Sequence, residues 1–144
     1  MLRALKAYIV AVFIAYLLAS VAASQVILAQ VTAMGVAVSL TDRLSASLHD
    51  LLGLASSYLV LIAVAFALAM PVAAGLHRLL PRQRALFYTL AGFLAIVALH
   101  LIMKAVLGVS GIAATRSLPG LLSQGAAGAA GGLCFHALTG RRRN

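Results

Sequence analysis

The chain has 144 residues, 64% of them hydrophobic and 9% charged, against roughly a quarter charged in a soluble domain, so a water-soluble fold is excluded. Its net charge of +9 suits nucleic acid by magnitude alone. The basic residues stand at the ends of apolar runs, however, where they read as topology signals and as contacts to anionic lipid headgroups; no nucleic-acid partner is expected.

The composition predicts an all-α polytopic membrane protein, one domain over residues 1–144. Apolar runs of roughly twenty residues exclude the short alternating strands of a β-barrel. The N-terminal MLRALK, the apolar AYIVAVFIAYLL and the small-residue ASVAAS together resemble a signal peptide with a cleavage site near Ala22 or Ala23. The apolar run continues through VILAQVTAMGVAV, so the segment is read as an uncleaved first span.

Four transmembrane helices are expected. The first runs from Ala7 to Leu28. Thr41 to Leu52 then reads TDRLSASLHDLL, with Leu44, Leu48, Leu51 and Leu52 at helical spacing and polar residues elsewhere. This is the pattern of a short amphipathic helix at the membrane surface, or of the first turns of span two. Span two, from Asp50 to Leu79, exceeds a hydrocarbon core of ~30 Å at ~1.5 Å per residue. Pro71 offers it a place to bend. The third span runs from Ala85 to Leu107 and the fourth from Leu118 to Thr139, with Ser117 as N-cap and Gly140 as C-terminal cap.

Four spans put both termini on one side. That side collects Arg3, Lys6, Arg78, Arg82, Arg84, Arg141, Arg142 and Arg143, and the other has Arg43, Lys104 and Arg116. The imbalance predicts cytoplasmic termini in a bacterial inner membrane. A weak echo between residues 73–84 and 129–143 suits two tandem hairpins or simply two helix ends facing the same side.

The fourth span is the least ordinary. At ~100° per residue, Gly120, Gly125, Gly128, Gly131 and Gly132 fall within one arc of roughly 140°, with Gln124 inside it. Gly128 and Gly132 form a G-x-x-x-G pair. Helices in lipid associate by close van der Waals packing, and a glycine face admits a neighbouring backbone. Ala126, Ala127, Ala130 and Ala137 leave the opposite side small too. The neighbour is a helix of the same monomer, a second copy or a larger membrane-protein partner.

Ionisable groups inside a membrane are functional candidates because they are costly there. His100 and Lys104 share one face of span three. The only acidic residues of the chain, Asp42 and Asp50, lie towards that same end. A polar network of Asp50, His100, Lys104 and Arg116 is therefore a candidate ion relay or anion site. The plainer alternative has Lys104 snorkelling to headgroups and His100 partnered by a backbone or Ser/Gln group.

Catalytic chemistry finds little support. Cys134 is the single cysteine, so no intramolecular disulfide forms and it reads as a packing residue. Gly108-Val109-Ser110-Gly111 matches the short G-x-S-G pattern of intramembrane serine proteases, without a histidine on another helix at the serine's depth. His77 and His136 lie near one membrane face but lack a haem or metal motif. Two acids leave almost no scope for paired-carboxylate catalysis. No catalytic residue, cofactor or metal ligand is assigned. The leading expectation is a non-enzymatic accessory or structural subunit that associates through its glycine-rich fourth helix. The alternative is a homo-oligomeric small-solute or ion transporter or channel, with Gln25, His100, Lys104 and Gln124 along its path.

Overall fold

The structure is a computed structural model that describes residues 2–108 and 110–140. Arg141, Arg142 and Arg143, which enter the topology count, and Val109 of the G-x-S-G run lie outside them. Five helices follow in chain order: α1 Leu2–Ala33, α2 Leu40–Gly53, α3 Tyr58–Leu79, α4 Arg84–Leu107 and α5 Leu118–Gly140. Short 3₁₀ turns at Pro81–Gln83 and Ala113–Arg116 lead into α4 and α5.

Among the described residues three stretches are long and apolar enough to cross a membrane: Leu2–Ala33, Tyr58–Leu79 and Pro81–Leu107. At 23 residues, α5 has the length of a span, but its glycines and Gln124 dilute its apolar content. Those residues face the interior, so the helix that packs best is the one that reads as least greasy.

Several boundaries move from their sequence positions. α1 has 32 residues, a rise of ~48 Å, well beyond the Ala7 to Leu28 span expected. A short break after Gly53 separates α2 from α3, and the Leu54 N–H donates to the Asp50 carbonyl at 2.9 Å. The amphipathic segment is thus a helix of its own, and the next long helix begins at Tyr58 rather than Asp50. α3 continues through Pro71. Ser117 caps α5 as expected, accepting from the Gly120 N–H at 3.2 Å. Gly140 is the last residue of that helix. α4 ends at Gly108, whose φ of 68° lies in the left-handed region that favours glycine.

The four long helices form a ring in the order α1, α5, α4, α3. α1 turns Ala7, Ala11, Ala15, Ala19 and Ala23 inward, and α5 turns its glycines inward, so these two helices approach closely. α3 supplies bulk: Tyr58, Ile62, Phe66 and Met70 recur every fourth residue. A Cβ at Gly131 would lie 2.9 Å from the Phe66 ring, so that ring fills the space the glycine leaves. The tightest junction joins α4 and α5. A Cβ on Gly92 would collide with the Gly128 carbonyl oxygen, and one on Gly128 with the Gly92 carbonyl oxygen. Neither atom can yield without moving a helix.

α2 folds back along α1. Its polar side faces α1, where Arg43 donates to Gln25 Oε1 at 2.9 Å, Ser47 Oγ accepts from Gln25 Nε2 at 3.0 Å, and Asp50 Oδ2 accepts from Ser24 Oγ at 2.7 Å. Its leucines face out: Leu40, Leu44, Leu48 and Leu52 are 59–72% exposed. The arrangement is polar inside and apolar outside, the reverse of a helix on a water-soluble core. A lipid or protein covering suits it. Ser39 and Asp42 close a capping box at its start, and these bonds hold the Asp42 carboxyl below the usual aspartate range.

The junction yields a direct test. Gly128→Ala should destabilise the protein in detergent by about 3 kcal/mol, the upper end for overpacking, because its Cβ meets backbone. Gly75→Ala, with nothing within 4 Å of its Cβ, should stabilise α3 by about 0.5–1 kcal/mol. Thermal unfolding followed by circular dichroism reads both.

Candidate functional site

One residue from each long helix meets at a single depth. On α5, Gln124 is fully buried. Its Nε2 donates to the Ala19 carbonyl of α1 at 3.0 Å, and its Oε1 accepts from the Tyr58 hydroxyl of α3 at 2.8 Å. His100 of α4 is 6% exposed, and its Nε2 lies 3.4 Å from the same hydroxyl.

The proton positions follow from the types of group present. A carbonyl can only accept, so the amide nitrogen of Gln124 must face Ala19 and its oxygen must face Tyr58. Tyr58 therefore spends its one proton on Gln124. The hydroxyl oxygen can then only accept, so a hydrogen bond from His100 requires the Nε2–H tautomer. His100 Nδ1 is left buried and without a hydrogen-bond partner. The Tyr58 and His100 rings meet edge-on, with centroids 5.6 Å apart. On the other side Tyr58 meets Tyr16, centroids 6.4 Å apart, and Tyr16 donates to the Leu51 carbonyl at the end of α2. Through Tyr16 and the Ser24–Asp50 bond, the buried cluster joins the α1–α2 contact.

The predicted network divides. Asp50 is held by Ser24, not by Lys104. His100 is in the buried cluster. Lys104 and Arg116 are exposed, on the last turn of α4 and in the 3₁₀ turn before α5, and among the described residues neither makes a hydrogen bond to Asp50 or His100. The reason is α2: packed on α1, it carries both acids away from α4. Gln25 is likewise tied to Ser47 and Arg43.

The predicted packing face, by contrast, is brought together whole. Gly120, Gln124, Gly125, Gly128, Gly131 and Gly132 are all buried, but against this chain's own helices. Gly128 and Gly132 lie on Gly92 and Tyr88 of α4, Gly125 on the Phe93 ring, Gly131 on Ala11 and Ala15 of α1, and Gly120 on Ala114. Of the three neighbours the sequence left open, helices of the same monomer occupy the face. Spacing shows that a neighbour is needed and not which helix it is.

Two residues escaped the sequence reading. Tyr58 opens an apolar run, and its hydroxyl was the signal. Gly92 is the one glycine in α4, visible only once the glycines of α5 are seen to need a partner.

A second cluster lies at the opposite end of the bundle. Arg84 Nη2 donates to Thr139 Oγ1 at 2.6 Å, and its guanidinium carbon sits 5.2 Å from the Tyr88 ring centroid. Arg3 Nε donates to the Leu138 carbonyl at 3.0 Å. The His136 ring lies 6.3 Å from Tyr88. Among the described residues no group of three His, Cys, Asp or Glu is arranged to hold a metal ion.

Comparison with known proteins finds no match to a family model, to a curated protein or to a solved structure. The site must therefore be read from its chemistry. A phenol, an amide and an imidazole joined in one chain provide no activated nucleophile; they fix the register of four helices.

Tyr58→Phe leaves the Gln124 oxygen without its donor. It should lower stability by about 0.6–2 kcal/mol, the range for interhelical hydrogen bonds in membrane proteins. Lys104→Gln should be neutral. Denaturant unfolding in detergent distinguishes them, and equal stability of all three proteins would remove the cluster's structural role.

Proposed function

We propose that the chain is a four-span integral protein of a bacterial inner membrane, with both termini cytoplasmic, that serves as a non-enzymatic accessory or structural subunit. The observation that carries this reading is that one residue from each long helix is spent in the buried Ala19–Gln124–Tyr58–His100 cluster. The groups that would line a conducting path are used to lock the bundle, and Lys104 stands outside it. A bundle whose buried Gln124 and Tyr58 bond one helix to the next suits a scaffold better than a moving transporter. The two acidic side chains have structural tasks as well: Asp42 closes the cap of α2 and Asp50 binds Ser24.

Since the glycine face of α5 is occupied, association with a second copy or a larger membrane protein falls to the outer faces. These carry rows of large apolar side chains such as Val60, Val64, Leu68 and Val72 on α3. The excess of Lys and Arg on one side supports the orientation, and the outward leucines of α2 support embedding in lipid.

Native mass spectrometry of the protein extracted gently from its own membranes tests the reading. A stoichiometric foreign subunit is expected. A homo-oligomer alone, combined with an ion or solute flux in vesicles that changes in Lys104→Glu, would instead establish the conducting alternative.

A further inference from the structure

At the arginine-bearing end, a groove of about 520 Å³ opens between α1 and α3. Leu5 and Tyr8 line one wall, Ala67 and Pro71 the other, with Tyr88 and Thr139 at its base. The side chains along it are almost entirely apolar, which suits a hydrocarbon chain. Two of the lining residues carry the basic cluster: Thr139 accepts from Arg84 Nη2, and the Arg84 guanidinium stands over the Tyr88 ring. Arg3, at the start of the α1 wall, is tied by its Nε to the Leu138 carbonyl beside Thr139. The groove thus begins at two guanidinium groups and continues as an apolar slot.

Nothing acidic in the sequence balances that charge locally. The only two acidic side chains, Asp42 and Asp50, sit on α2, and Asp50 is bonded to Ser24, far along α1 from Arg3. A guanidinium presents several N–H donors in a fork that matches phosphate oxygens. Basic pockets between membrane helices hold anionic headgroups for this reason.

We propose that this groove binds one anionic phospholipid, its phosphate on Arg84 and Arg3 and an acyl chain along Tyr8, Ala67 and Pro71. The proposal rests on the reading that the chain is embedded in a bilayer, which resistance of the membrane fraction to carbonate extraction tests separately. The bound lipid would cover the gap between α1 and α3, two helices that meet more loosely than either α1 with α5 or α4 with α5. It would also neutralise the bundle's basic end.

The test is native mass spectrometry of the purified full chain with phosphatidylglycerol or phosphatidylcholine of identical acyl chains. Phosphatidylglycerol should be retained about tenfold or more over phosphatidylcholine, since each basic side chain contributes roughly fivefold. Arg84→Gln should cut the preference about fivefold, and Ala67→Phe, which blocks the slot but leaves the charges, should lower retention of both lipids. Arg43→Gln, on α2 beside the other end of α1, should leave the preference unchanged. Circular dichroism confirms that each variant is folded, and the Ala67 variant keeps the test available if Arg84→Gln is not. Equal retention of the two lipids would overturn the proposal. So would competition by glycerol phosphate, which would indicate a free-phosphate site, or a dimer that Ala67→Phe converts to monomer, which would make the groove an interface between copies.

Discussion

Gly92 and Gly128 bring the backbones of α4 and α5 closer than any side chain at either position would permit, and the rest of the bundle is arranged around that approach. Lipid tails are as apolar as leucine, so helices in a bilayer gain little from burying hydrocarbon and much from dense contact and paired polar groups. α5 supplies the first through five inward glycines and the second through Gln124. With α4 drawn against one side of α5 and the alanines of α1 against another, α3 provides most of the bulk in the interior, beside Tyr16 of α1 and Tyr88 and Ile96 of α4. Phe66 and Tyr58 cross the centre to reach α5.

This packing puts the polar cluster where water is excluded. A hydrogen bond missing there costs more than one missing at a surface, so the chain of donors from His100 through Tyr58 and Gln124 to Ala19 acts as a register pin for four helices. The same logic runs outward. α2 presents Arg43, Ser47 and Asp50 to polar groups of α1 and turns its leucines away, so polar groups pair inside and hydrocarbon faces the surroundings.

Much of this was legible in the amino-acid sequence, for identifiable reasons. Long apolar runs report helices through transfer energetics that depend on composition alone. The glycine arc of α5 was legible because helical geometry converts spacing into a face. Its neighbour was not, since Gly92 is a single residue whose meaning depends on a contact across the fold. The proposed Asp50–Lys104 pairing failed for a related reason. Sequence position placed Asp50 at the right end of the bundle, but the hydrogen bonds of α2 to Ser24 and Gln25 decided which helix it would face. The N-cap at Ser117 was legible because it is local.

Gly92 and Gly128 face one another backbone to backbone, and a double-mutant cycle measures that contact. Each single alanine must push α4 and α5 apart by a similar distance, after which the second methyl group enters space already opened. Gly92→Ala with Gly128→Ala should cost well below the sum of the two single changes, a coupling of at least about 1 kcal/mol, as expected for residues in contact. Additive costs would mean that the two glycines act independently and that this contact does not organise the bundle.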